Sequence, residues 1–304
     1  MDVAPESGYA ELYCRSNFSF LAAASHPEEL VRRAAELGYQ ALAITDECSL
    51  AGVVRAHGEA KACGLQLIVG AEFRLEDGLR LVLLAMQGEG YGDLSELITR
   101  GRRRAEKGGY LLRRSDLEGC LNGCLALLLP GDEGWREQAR WLTVHFPGRA
   151  WIGVALHRRG GDRQRLADLR RLSQETGLPL VACGGVLMHH RQRRPLLDTL
   201  TAIRLSQTLG EAGFALQSNG ERHLRSLRQL ARFYPAELLR ETQRLARRCR
   251  FSLDQLRYQY PRELVPAGST ATAWLRRLSV QGMIRRWPDG APDRVRRLVD
   301  HELA

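Results

Sequence analysis

The chain has 304 residues, 44% of them hydrophobic, and a net charge of +10, which suffices for one large domain or a domain plus an extension. It holds no uncharged apolar run of about 18 residues that could span a membrane, and Met1-Asp-Val-Ala-Pro-Glu6 is acidic where a secretory leader would be basic and then apolar. Seven scattered cysteines without a Cys-x-x-Cys pair argue against a disulfide framework or a structural zinc site and fit a reducing cytoplasm.

In chain order, strand-like and helix-like segments alternate from the start. Ala10–Leu12 reads as a short strand, and Ser25-His-Pro-Glu28 reads as a capping box with Pro27 at the first helical position. The helix this opens stops at Gly38. Ala41–Thr45 is a buried strand, followed by a helix near Ser49–Ala62 that stops at Gly64. Two apolar runs, Leu65–Phe73 and Leu79–Met86, flank the hairpin signal Glu76-Asp-Gly78. The glycine-rich run Gly88–Gly92 follows the fourth strand and reads as a loop before a helix over Tyr91–Glu106. Strand Cys124–Leu129, helix Glu133–Phe146, strand Trp151–Leu156, helix Asp162–Thr176 and strand Leu180–Cys183 complete the series. Repeated strand–helix units with nearly continuous apolar strands predict a mostly parallel sheet covered by helices, either open or closed into a barrel.

Beyond Arg191 the pattern becomes helical, over Leu196–Leu205, Leu224–Phe233, Pro235–Cys249 and Thr270–Trp287, with Pro261, Pro266 and Gly268 marking a linker before the last helix. Residues 1–250 are expected to form one domain and 251–304 a linker and the start of a further region. The charge is divided unequally. Residues 221–304 carry 18 arginines against 9 acids, whereas the first 220 residues are nearly balanced, so a polyanionic neighbour is expected near the last quarter. Arg276, Arg277, Arg285 and Arg286, around an apolar stripe that includes Trp274, Leu275, Leu278 and Ile284, are the DNA-binding candidates.

In strand–helix architectures polar chemistry gathers where strands end. Those positions hold Tyr13 and Arg15, then Asp46 and Glu47, then Glu72, with Gly184 and Gly185 after the last strand. The segments Tyr9–Leu21, Leu42–Glu47, Leu50-Ala-Gly52 and Leu67–Phe73 resemble successive motifs of the polymerase and histidinol phosphatase (PHP) domain of bacterial C-family DNA polymerases. His189–Arg204, Glu221–Ser226, Ala246–Asp254 and Leu256–Gly268 resemble the error-prone, damage-induced branch of that family. The resemblance runs from about Tyr9 to Trp287 and implies a distorted (β/α)7-like barrel followed by a helical, basic extension.

That family's metal ligands, carried over position by position, are mostly replaced. The His-x-His positions hold Tyr13 and Arg15, and the aspartate expected after the Phe-Ser segment is Ala22. The histidine of Thr-Asp-His is Glu47, the histidine that opens the fourth strand is Arg80, and the Asp-x-His near the last strand is Gly185 and Leu187. Asp46 and Glu72 alone keep family chemistry and are the residual metal candidates. Arginine has no lone pair to offer a cation, so no bound metal and no catalytic residue is expected in this segment. Arg15 and Arg80 are instead expected to form a salt-bridge cluster with Asp46, Glu47 and Glu72. The resemblance further implies translesion synthesis by the complete polymerase, with magnesium held by palm acids absent from these 304 residues. Its implied partners are the rest of the polymerase core, DNA, a sliding clamp and mutagenesis accessory proteins. The alternatives are an active metal-dependent phosphoesterase or nuclease, and a stand-alone DNA-binding or interaction module.

Overall fold

Side chains along a strand alternate between two faces, and here both faces are buried. The computed structural model describes residues 8–131, 133–257 and 264–303, in two compact units, Met1–Leu256 and Arg257–Ala304. Elements of the first unit run β1 (Ala10–Glu11), α1 (Pro27–Glu36), β2 (Ala41–Ile44), α2 (Val53–Cys63), β3 (Gln66–Arg74), β4 (Arg80–Ala85), α3 (Gly88–Arg103), β5 (Cys124–Leu128), α4 (Trp135–His145), β6 (Ala150–Val154), α5 (Asp162–Thr176) and β7 (Leu180–Ala182). Helices α6 (Arg194–Leu205), α7 (Leu209–Ala212), α8 (Leu227–Phe233) and α9 (Ala236–Arg248) follow.

The seven strands form one sheet in chain order. All neighbours are parallel except β4, which is antiparallel to both β3 and β5. The Glu76-Asp-Gly78 turn explains the exception, since a link this short can only return a strand antiparallel. Beyond the ends of β1 and β7, Cys14 pairs in parallel with Val186, so the sheet curls round and its edges meet. The outward residues, such as Leu42, Ile44, Leu83, Ala126 and Ile152, pack under the helices. The inward ones, among them Leu12, Ala43, Ile68, Leu84, Leu127 and Val181, form a separate core that includes Leu245, Ala246 and Cys249 of α9. Helix α9 therefore plugs one end of the barrel. The Gln66 amide fixes it there by donating to the carbonyls of Ala246 and Cys249, which lie in the last turn where intrahelical donors run out.

Three local readings are corrected. Gly88–Gly92 is the first turn of α3, not a loop: Gly90 lies so near β5 that a Cβ there would sit 2.2 Å from the Gly123 carbonyl. Gly90 marks close helix–strand packing, whereas Gly88 and Gly92 face open space. The first helix is capped at His26, whose N–H is received by Glu29 at 2.9 Å, while Ser25 Oγ accepts the His189 N–H at 2.8 Å. In the second unit two helices appear where one was expected, α10 (Ala271–Arg286) and α11 (Asp293–Glu302).

The first unit runs on to Leu256, since Phe251 is buried and its ring stacks on Tyr91 at 4.8 Å. Met1–Glu6 and Pro261 lie outside the described residues; Pro266 accepts the Ser269 N–H in a turn with Gly268 at φ +83°. Among the described residues no helix is long and apolar enough to cross a membrane.

The two α3 glycines give opposite expectations. Gly90→Ala should lower the urea midpoint by the equivalent of about 1–3 kcal/mol, because backbone must move. A Cβ at Gly92 meets nothing within 4 Å, so Gly92→Ala should raise stability by roughly 0.5–1 kcal/mol through helix propensity. Equal effects at the two sites would refute the packing account.

Candidate functional site

The C-terminal ends of β1, β2 and β3 converge on one rim because the backbone pairing continues past the strands. Glu72 N–H donates to Asp46 O at 3.1 Å and Cys48 N–H to Glu72 O at 2.8 Å, while Arg15 N–H donates to Val186 O at 3.0 Å. In the β3–β4 hairpin Arg74 faces Arg80 and Glu72 faces Val82, which sets Glu72 and Arg80 as diagonal neighbours on the inward face.

Glu72 is the centre of this rim. Its side chain is 1% exposed, and Arg15 grips it with Nε to Oε2 at 2.6 Å and Nη2 to Oε1 at 2.5 Å. Arg80 Nη2 donates to Oε1 at 2.9 Å. Burial by itself would raise the Glu72 carboxyl, but the charge and hydrogen bonds of Arg15, then those of Arg80, hold it below the usual carboxylate range. Arg15 also reaches Glu47 at 3.2 Å, and Glu47 accepts the Tyr110 hydroxyl at 3.0 Å. The Tyr13 phenol lies beside Arg80 at 3.4 Å.

Asp46 departs from the expected cluster. It makes no ion pair among the described residues and is held by two serines. The Ser16 N–H and Ser19 hydroxyl donate to Oδ1 at 2.8 and 2.7 Å, the Ser16 hydroxyl to Oδ2 at 2.7 Å, and the Ser19 N–H to Oδ1 at 3.1 Å. Desolvation raises its pKa against those bonds. Hydroxyls and amides can satisfy a buried carboxylate without a cation, and the Arg15 fork is already filled by Glu72 and Glu47.

The strand-end reading also missed Arg222. Its Nε donates to Gly185 O at 2.6 Å, and Gly185 takes φ +54° with the guanidinium and the Tyr13 ring where a side chain would stand. Leu187 N–H donates to Arg222 O at 2.9 Å, and the Leu187 side chain is buried with Ala23, Met188 and Leu197. Arg222 follows no strand, so strand-end logic cannot find it. Among the other polar candidates, His189 Nδ1 meets Ser25 Oγ at 2.8 Å and His190 caps a 3-10 turn. Arg102 donates to the carbonyls of Gly108, Gly109 and Cys48, and Arg104 pairs with Asp116 at 2.5 Å.

This donor set does not fit a metal centre. Both Glu72 oxygens face guanidinium groups, Asp46 is saturated by four donors, and Tyr13, Arg15, Arg80, Gly185 and Leu187 offer no ordinary ligand at their positions. Among the described residues no three His, Cys, Asp or Glu side chains converge on one point.

In the second unit, Arg276 reaches Asp300 at 3.7 Å, Arg277 lies over the Trp274 ring, and Arg286 over Trp287. At about 100° per residue the apolar residues 274, 275, 278 and 284 spread round half of α10, and none is buried. They do not form the single stripe expected.

Residues 11–147, which carry the strand-end rim from Tyr13 to Arg80, match the PHP domain family. Over its whole length the chain is homologous to error-prone DNA polymerases. It is 61% identical over all 304 residues to the error-prone DNA polymerase of Methylococcus capsulatus and 57% identical, over 98% of the chain, to that of Pseudomonas aeruginosa. The chain spans 29% of the length of each of these relatives. An amidohydrolase structure from Chromobacterium violaceum, with bound sulfate and no metal, matches at 15% identity and a TM-score of 0.43, covering 58% of this chain and 87% of that one. That likeness is too loose to add to the strand order.

Glu72 supplies a pH test. Glu72→Gln leaves Arg15 and Arg80 without their shared partner, an expected loss of about 3 kcal/mol at pH 7, the lower end for breaking a buried pair. A carboxyl held below its unfolded pKa stabilises above that value and loses the contribution as pH falls through the folded one. The wild-type advantage in urea midpoint should therefore shrink below about pH 5, near the ordinary carboxylate range. An advantage that stays constant on acidification would rule out ion pairing as its source.

Proposed function

We propose that this chain is the N-terminal portion of an error-prone DNA polymerase and that its barrel is a non-hydrolytic scaffold for the polymerase core. The observation that carries the scaffold reading is the double arginine grip on Glu72, where a hydrolytic site would need open carboxylate oxygens and histidines. Arg15 and Arg80 supply fixed positive charge to the rim, so Glu47 and Glu72 are neutralised without a metal ion. A guanidinium cannot present a bound water or lower its pKa as a metal does, so phosphoester hydrolysis has no nucleophile here. In the whole protein, nucleotidyl transfer on damaged templates would use magnesium on palm acids outside these residues. DNA, the remaining core, and clamp and accessory proteins would be its partners, in the cytoplasm, in damage-induced repair synthesis.

The test is chemical. Purified chain should carry no stoichiometric zinc or manganese, should not hydrolyse phosphoesters with added manganese, and should not extend a primer. Stoichiometric metal lost on Asp46→Ala or Glu72→Ala, with phosphoesterase activity, would establish the metallohydrolase alternative instead.

The stand-alone DNA-binding reading is favoured only by the arginine excess of the last quarter. Arg276 reaches Asp300, whereas Arg285 and Arg286 end α10 side by side and are the phosphate contacts to test. If both contact phosphate in the complete polymerase, Arg285→Gln with Arg286→Gln should weaken DNA binding uniformly across sequences and reduce the salt slope by about 2. An unchanged slope would assign these arginines to packing.

A further inference from the structure

Beside the Glu72 cluster, on the side of β5, β6 and α5, the barrel mouth opens into a cleft of about 520 Å³, within the ~300–1,000 Å³ usual for small-ligand sites. Four arginines line it, Arg80, Arg159, Arg165 and Arg222, against one carboxylate, Asp162. Arg80 is neutralised by Glu72. The other three have no carboxylate within ion-pair distance among the described residues. Arg165 donates to the Pro130 carbonyl and Arg222 to the Gly185 carbonyl, both uncharged. Asp162 balances at most one of them: its Oδ2 accepts the Arg158 N–H at 2.7 Å, and it lies within ion-pair distance of none of the three among the described residues.

Arg222 is the most telling of the three. It stands where this cleft meets a second, of about 510 Å³, lined by Arg15 and Glu47. Desolvation lowers its pKa, Arg15 adds to the decrease, and the neighbouring Tyr13 hydroxyl and Glu72 carboxylate oppose it. The Arg222 guanidinium is half-buried between the two clefts and has no carboxylate within ion-pair distance among the described residues, so an anion entering either cleft would meet an unpaired charge. His157, also on the cleft wall, donates from Nε2 to Gly184 O at 2.7 Å. Its pKa is pushed down to about 4 by desolvation and by Arg222. At neutral pH its Nδ1 is therefore an acceptor, suited to the hydroxyl of a protonated phosphate.

We propose that this cleft binds a phosphate oxyanion through the forks of Arg222 and Arg165, with Arg159 at its entrance, without a metal and without turnover. The planar donors of arginine match paired phosphate oxygens. The source is either free phosphate or pyrophosphate, or the terminal phosphate of a nucleic-acid strand.

Calorimetric titration of the full chain decides it, using inorganic phosphate, pyrophosphate, and a short single-stranded oligonucleotide with and without a 5′ phosphate. Binding of either inorganic anion, or of the phosphorylated strand in preference to its unphosphorylated twin, is the expected result and identifies the source. Arg165→Gln and Arg222→Lys should each weaken binding at least about tenfold, in line with a lost charge-assisted hydrogen bond. Arg159→Gln should weaken it less. Arg159 is exposed, with no side-chain partner among the described residues, so that variant tests the cleft even if changes at Arg222 unfold the chain. Arg163→Gln removes an exposed charge from α5 outside the cleft and should change affinity less than twofold. No binding by any probe, or equal weakening by Arg163→Gln and Arg165→Gln, would overturn the proposal. Bound pyrophosphate should be recovered intact; its hydrolysis would overturn the absence of turnover.

Discussion

The barrel depends on how its two edge strands are joined. β1 and β7 stand at opposite ends of the sheet, and they share a ladder only beyond their own residues, at Cys14 and Val186. Below that bridge each strand has backbone donors and acceptors that no neighbouring strand can take, and buried groups of that kind must find partners. Side chains provide them. Glu11 of β1 accepts the N–H groups of Tyr13 at 3.0 Å and Gly184 at 2.8 Å through one oxygen, and the Tyr9 hydroxyl at 2.9 Å through the other. Thr242 of α9 accepts the Ala10 N–H at 3.1 Å, and the Tyr234 hydroxyl bridges Leu156 N–H and Cys183 O, each at 3.0 Å. The Glu11 carboxyl and the Thr242 hydroxyl thus stand in for the absent β1–β7 pairing, while Tyr234 extends the β6–β7 join past the strand ends.

This join fixes the site. Because Arg15 leaves β1 through the Cys14–Val186 bridge, its side chain is delivered to Glu72. The same crossing brings Gly185 against Tyr13 and sets Arg222 over both. The rim is therefore a consequence of closure. Its acids also differ in the sign of their pH dependence. Glu72, held low by arginines, favours the fold at neutral pH. Asp46 and Glu11 are raised by burial, so their contributions are complete at low pH and decline as pH rises through their folded pKa values. Arginines hold the centre of the cluster ionised, while burial lifts the pKa of the neighbouring acids against the hydrogen bonds they accept.

Much of this was legible in the sequence, for identifiable reasons. Apolar strands such as Leu125–Leu128 read as buried on both faces because the barrel covers both. The Glu76-Asp-Gly78 turn announced the one antiparallel strand. Tyr13, Arg15, Glu47 and Glu72 were found because strand ends in such folds share a rim, and Arg80 through the family resemblance; all but Tyr13 meet within ion-pair reach. What was illegible had a non-local cause. The role of Gly90 depends on Gly123, thirty-three residues away. The serines that hold Asp46 and the Arg222 that lies against Tyr13 are ordinary polar residues until closure brings them together. On α10 the apolar residues gave composition without a periodic face, so no partner surface could be read from them.

The replacement of ligands by arginines changes the chemistry of the rim in one direction only. A divalent cation on carboxylates supplies charge, open coordination and an acidified water together. A guanidinium supplies charge and five directed donors but no coordination position, and it remains protonated throughout the accessible pH range. At this rim Arg15 and Arg80 commit their charge to Glu47 and Glu72 and offer no coordination position of their own. Arg222 and Arg165 carry positive charge past the point at which the local acids are neutralised. Balancing Glu72 and Glu47 requires only the positive charge that Arg15 and Arg80 already provide. The cationic surplus on the β5–β6 side exceeds that requirement, and it is the surplus that gives the mouth of this barrel a chemistry of its own.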